Sequence, residues 1–242
     1  MTPQRITDVY PFNGHCAINL DYQGEEFRIC WTGDWRKPPN LSTFPQVDGA
    51  TSSKVPHSPE VDDLWTNSQV LGYGADSHIR KLVDCVDGFP ICKVAIDDRQ
   101  RLLLQEEFAL FRYLSATGSS LPVVKTWPHP LKDQQGIFGF RMETLHNFTM
   151  ENALEYFNEI KTAVLQLHEV GVIHYDLSLS NLMLNKEEHI TLIDFGRAGY
   201  VGNRIPLNKE KGIKPTGLCM YSVSWDSQAL LQMHNVMKNM TK

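Results

Sequence analysis

The chain has 242 residues, 42% of them hydrophobic and 21% charged, which are the proportions of a globular protein and exclude a disordered, collagenous or coiled-coil class. Lys plus Arg number 23 against 28 Asp plus Glu, and the formal net charge of -5 argues against a nucleic-acid-binding domain. No stretch is apolar for the length a bilayer crossing needs, and the N-terminus lacks the apolar core of a secretory signal. The five cysteines form no CxxC pair and no zinc-ligand set. These features predict a cytoplasmic or nuclear protein with no membrane partner. They leave the oligomeric state open.

In chain order, residues 1–65 are expected to form an N-terminal extension. The β-like runs HCAINLDY and EEFRICW flank a Gln23-Gly24 turn signal, which predicts a hairpin. Trp31 and Trp35 would pack that hairpin or anchor a partner. Residues 36–60 are rich in Pro, Ser and Thr and offer little to bury, so a surface loop is expected.

Residues 66–145 read strand, strand, strand, helix, strand, strand. QVLGYG, HIRKLVDCV and FPICKVAI are β-like; Leu103, Leu104, Phe108, Phe111 and Leu114 recur at helical spacing up to Gly118; LPVVKTW and GIFGFRME return to strand character. Residues 146–242 are mainly helical. A helix is expected over 151–171, then NLMLN and ITLIDFG around the turn KEEH, then an amphipathic stretch near SQALLQMHNVM. A β-rich half followed by an α-rich half predicts an α+β chain of two lobes with a cleft between them.

The densest chemistry lies in VIHYDLSLSNLML. It holds His174, Asp176 and Asn181, and Asp194-Phe195-Gly196 follows after an apolar run. A loop with Asp and Asn, then a hairpin ending in Asp, can gather three oxygen ligands. Two can face Mg²⁺, which prefers few protein oxygens plus phosphate oxygens, and one can face an acceptor hydroxyl.

The pattern H-x-D-x-x-x-x-N followed by D-F-G resembles the signature of the protein-kinase-like superfamily, and the resemblance runs through roughly residues 66–235. It implies a bilobal kinase-like fold with an added N-terminal hairpin and a minimal C-lobe, nearest in outline to compact atypical or small-molecule kinases. The implied activity is transfer of a phosphate from ATP, with Mg²⁺, to a hydroxyl of a protein or small molecule. The alternative is a pseudokinase that binds nucleotide or acts as a scaffold.

By the same resemblance, Asp176 would orient or deprotonate the acceptor. Lys93 would hold phosphates and pair with Glu107, the choice over Glu106 because Leu110, Phe111 and Leu114 continue its stripe. Asn181 and Asp194 would bind Mg²⁺. Leu71, Gly72, Tyr73, Gly74, Ser77 and Ile79 would cover the nucleotide, and Ile91, Met142, Glu143, Leu145 and Met183 would frame the adenine. His174 and Phe195 would stack with Phe111, and Asp226 would cap the backbone of 174–176.

Single pieces also admit plain readings: a Gly-rich hairpin tip, an edge lysine, solvated helix glutamates, core methionines and a helix N-cap aspartate. Asp76, Ser77 and Ile91 depart from the family pattern, and so does Tyr175, which replaces an arginine that clamps a phosphorylated loop. The segment 197–216 carries Arg197, Arg204, Lys209, Lys211 and Lys214. It is a solvated loop or a receiver of acidic groups.

Overall fold

The computed structural model describes residues 5–6, 10–12, 15–23, 25–73, 77–95, 97–118, 120–147, 153–207, 209 and 219–240. Gly24, Gly74, Asp76, Lys211 and Lys214 lie outside the described residues, as do 151–152 at the start of the expected helix.

The first antiparallel sheet contains β1 (Arg5–Ile6), β2 (Tyr10–Phe12), β3 (His15–Tyr22), β4 (Glu25–Trp31) and β5 (Ala50–Lys54), in the order β1-β3-β4-β5 with β2 also on β3. Strand alternation divides its two faces. Ile18, Leu20, Ile29 and Trp31 form one face, and Leu41, Phe44 and Val47 cover it. The expected surface loop is therefore a lid whose three apolar anchors are separated by polar residues. Trp35 stays exposed, with the Arg36 guanidinium 5.1 Å above its ring.

The opposite face carries buried polar groups. Asn19 donates to Glu26 at 2.8 Å, Glu26 lies 3.0 Å from His57, and Arg80 donates to Asp21 at 2.9 Å. The last of these bonds ties the first sheet to the second. Each buried polar atom there needs such a partner to offset its lost hydration.

The second sheet contains β6 (Ser68–Tyr73), β7 (His78–Leu82), β8 (Ile91–Val94), β9 (Leu131–Asp133) and β10 (Gly136–Met142), in the order β6-β7-β8-β10-β9, all antiparallel. Helix α1 (Pro59–Thr66) begins at an N-cap serine, Ser58, with proline in its first turn. Its Val61, Leu64 and Trp65 cover Cys92, Val94 and Phe138 on the outer face of this sheet. Helix α2 (Asp98–Ala116), capped by Asp97, packs Leu104, Phe108 and Phe111 near Phe140 on the inner face.

LPVVKTW forms no strand; isolated bridges at Val123 and Thr126 tie it to neighbours. Beyond it lie α3 (Phe157–Glu169), β11 (Val172–Ile173), β12 (Leu182–Leu184), β13 (Ile190–Leu192), β14 (Gly199–Tyr200) and α4 (Val223–Met240). β11 pairs with β14 and β12 with β13. The helix expected over 151–171 occupies Phe157–Glu169, preceded by turn at 153–156. One core runs from Leu104 and Phe111 on α2 through Phe195 to Ile160, Leu167, Met233 and Met237 on α3 and α4. It joins the β-rich and α-rich halves of an α+β architecture.

Candidate active site

Strand alternation in β8 sends Cys92 and Val94 toward α1 and Lys93 to the other face. There the ammonium lies 2.8 Å from the Glu107 carboxylate and 2.8 Å from Oδ1 of Asp194. Glu107 sits on the buried stripe of α2, among Leu103, Leu110, Phe111 and Leu114. A carboxylate on such a stripe needs a cation. Burial pushes the Glu107 carboxyl upward, and the Lys93 charge opposes it. Burial would lower the Lys93 pKa, but Glu107 and Asp194 outweigh it and raise it. Glu106, one residue earlier, faces elsewhere and pairs with Lys209 at 2.9 Å.

Asp194 follows β13 with φ of 61°, a left-handed backbone that turns the chain abruptly. Burial favours its neutral form, yet the Lys93 ammonium overrides this and holds the carboxyl below its ordinary value. The next residue, Phe195, is fully buried; its N–H donates to Glu107 at 2.8 Å, and its ring lies 5.2 Å from Phe111 and 4.8 Å from His174.

His174 is also fully buried, and burial lowers its pKa. In the neutral ring this implies, Nε2–H donates to the Ile193 carbonyl at 2.9 Å and Nδ1 accepts from the Asp176 N–H at 3.3 Å. The ring therefore fixes Asp176 against the turn before Asp194. Asn181 donates from Nδ2 to the Asp176 carbonyl at 2.8 Å, which points its Oδ1 the other way. Under this loop, Asp226 accepts from the N–H groups of His174 and Tyr175 at 2.9 and 2.8 Å. His168, the last basic residue of α3, contacts the same carboxylate at 2.9 Å, a partner the sequence reading missed.

A family model described as the protein kinase domain matches residues 134–214, the span holding Asp176, Asn181 and Asp194. This part of the chain is similar to the protein kinase domain. The human hormonally up-regulated neu tumor-associated kinase is 40% identical over 178 residues, covering 64% of this chain and 24% of that protein. Serine/threonine-protein kinase PLK4 of Drosophila willistoni is 40% identical over 53 residues, covering 22% and 7%. Serine/threonine-protein kinase greatwall of Mus musculus is 40% identical over 57 residues, covering 24% and 7%. The kinase-like chain thus spans about a quarter or less of the length of these curated relatives.

Residues expected around a nucleotide fall on the second sheet and on β12. Paired residues on neighbouring strands share a face. Gly72 pairs with Ile79 and Ile79 with Lys93, while Ile91, two residues before Lys93, pairs with Met142, so these five share one face of the sheet in two adjacent rows. A Cβ at Gly72 would meet nothing within 4 Å, so the strand is open there. Leu71 is the extra residue where the β6–β7 register shifts, and it is exposed. Tyr73 ends β6, and Ser77 is buried just before β7.

Beyond Met142, Glu143 is tied to the 121–127 segment. Its N–H donates to the Lys125 carbonyl at 3.1 Å and its carboxylate accepts from the Lys125 N–H at 2.8 Å. Leu145 packs on the common core, and Met183 lies on β12 opposite Thr191. Among the described residues no group of three or more His, Cys, Asp or Glu could hold a metal alone. Asp194 and Asn181 offer two oxygens. That donor set fits Mg²⁺ completed by phosphate oxygens and water.

Proposed function

We propose that this chain is an ATP- and Mg²⁺-dependent phosphotransferase acting on a hydroxyl, with a protein Ser or Thr as acceptor. The observation that carries the reading is the Lys93 ammonium held between Glu107 and Asp194, which joins β8, α2 and the turn after β13 at one point. The serine/threonine kinase names among the relatives supply the acceptor class. We divide the chain into an extension (1–65), an upper lobe (66–145) and a lower lobe (146–242).

In this reading Gly72, Ile79, Ile91 and Met142 cover the nucleotide from above, with Leu71, Tyr73 and Ser77 at its mouth and Met183 beneath. Backbone groups of Glu143 and Leu145 meet the adenine edge. Lys93 neutralises phosphate charge. Asp194 and Asn181 would hold Mg²⁺, which when bound neutralises charge on the phosphates. Asp176 accepts the acceptor's proton as the hydroxyl oxygen bonds to the γ-phosphorus and the bond to the β-phosphate oxygen breaks.

Tyr175 stands where a phosphate-clamping arginine is expected. Its ring lies 5.6 Å from Tyr221 and 5.4 Å from Trp225, so an aromatic cluster holds the following segment. Activity in this reading does not wait for phosphorylation of that segment.

The test incubates the full chain with Mg²⁺ and ATP, a Ser/Thr peptide pool and a metabolite pool, then reads all three by mass spectrometry. Asp194→Ala is expected to abolish transfer, and Asp176→Ala to lower it about 10²- to 10⁴-fold. Undiminished turnover by Asp176→Ala removes its role. A thermal shift with Mg²⁺ and ATP but no labelled product favours the nucleotide-binding pseudokinase instead.

A further inference from the structure

We infer that Lys209 is a positioning residue: it clamps α2 to the segment after Asp194 and, through Arg197, to the Asp176 loop. The inference rests on the phosphotransferase reading for its effect on turnover, but not for the clamp itself.

Lys209 reads in the sequence as one of several solvated loop cations. In the fold it is only 6% exposed. Its ammonium lies 2.9 Å from the Glu106 carboxylate and 3.4 Å from the Ala198 carbonyl. Its own carbonyl accepts from Arg197 Nη1 at 3.0 Å, and Nε of the same guanidinium is 3.9 Å from Oδ2 of Asp176. The Tyr221 hydroxyl closes the segment from below, donating to the Arg197 carbonyl at 2.9 Å. A buried ammonium is costly unless paired, so this lysine is held in place by what it contacts.

The geometry follows from the adjacency of Glu106 and Glu107. Successive residues on a helix point about 100° apart. Glu107 faces the cleft and meets Lys93; Glu106 faces the segment after β14 and meets Lys209. Two cations on separate chain segments thus fix the rotation of α2 about its axis as well as its distance from the cleft. Without the second pair, α2 could turn or withdraw and take Glu107 from Lys93. The contact needs no phosphate and no partner chain.

The experiment compares the wild-type chain with Lys209→Met, Lys209→Arg, Glu106→Gln and the swapped pair Glu106→Lys/Lys209→Glu. Two readouts are taken: kcat and KM for ATP, and hydrogen exchange of the α2 amides. Lys209→Met is expected to lower kcat roughly tenfold with little change in KM, and to speed α2 exchange by a similar factor. Lys209→Arg is expected to recover both.

Wild-type exchange in Lys209→Met overturns the clamp. Faster exchange with unchanged kcat overturns the positioning role in turnover, as does lost kcat that arginine fails to rescue. Glu106→Gln breaks the pair from its more exposed end and decides the matter if Lys209→Met does not fold. If the wild type transfers no phosphate, the phosphotransferase reading fails, and the exchange data still settle whether Lys209 holds α2.

Discussion

The carboxylate of Asp226 on α4 lies 2.9 Å from the backbone N–H of His174, 52 residues earlier, and it is fully buried. The same group receives the Tyr175 N–H at 2.8 Å and contacts His168 at 2.9 Å. Its removal strands donors that water cannot reach. Asp226→Ala is expected to destabilise the fold by about 3 kcal/mol. Asp226→Asn, which keeps an acceptor, should lose less. Denaturant unfolding of the two variants checks this; equal losses would show that the cap acts through charge alone.

Lys93→Met tests the central ion pair independently of catalysis. It leaves Glu107, 2% exposed, with no cation. The carboxyl then titrates above its unfolded value, so the folded state binds the extra proton. Stability relative to wild type is retained at low pH and lost as pH rises through the carboxylate range. The deficit at neutral pH should reach about 3–5 kcal/mol. Adding Glu107→Gln should recover most of it. Thermal melts at pH 4.5 and pH 8 give the comparison.

His78 is 1% exposed, and burial, with Arg80 beside it, pushes its pKa down to about 3 from 6.5. The unfolded chain therefore takes up a proton before the folded one as pH falls. Stability from this site is intact above pH 6.5 and declines toward pH 3, by about 1.4 kcal/mol per pH unit at most. His78→Gln should flatten the acid limb of a denaturation-midpoint profile.

Helix α1 covers Cys92, Val94 and Phe138 on the outer face of the second sheet. Deleting residues 1–66 uncovers that face and removes Asp21 and Trp65 from Arg80, leaving it Ser68. The product is expected to aggregate, as read by light scattering. Trp65→Ala, which also removes the ring 4.2 Å beneath the Arg80 guanidinium, should cost about 3–5 kcal/mol. A monodisperse deletion protein would show that the extension is an independent appendage.

Much of the site was legible because the relevant residues interrupt a pattern. Glu107 breaks an apolar stripe, and a charge on a buried face announces a partner. Asp226 opens an amphipathic run, where a carboxylate caps backbone donors. Helix α1 left a signal that was not used: Ser58, Pro59 and Glu60 are an N-cap serine, a first-turn proline and a first-turn acid. The lid over the first sheet left almost none, because Leu41, Phe44 and Val47 are spaced by polar residues and acquire a common face only against β3 and β4. LPVVKTW misled by composition: its apolar residues fill gaps beside β13 and β10 without a ladder. Lys209 was unreadable, since a lysine among lysines shows nothing of its burial until Glu106 is beside it.

Two of the residues around the cleft, Tyr175 and Asp194, hold φ angles of 63° and 61° without being glycine. Each such turn runs against local preference by about 1–2 kcal/mol. Asp226 restrains the first and Lys93 the second. The two loops are therefore sprung: released from those anchors, they relax toward ordinary backbone while the helices around them stand. Under mild denaturant or gentle heating, the arrangement around the cleft should come apart before the protein does.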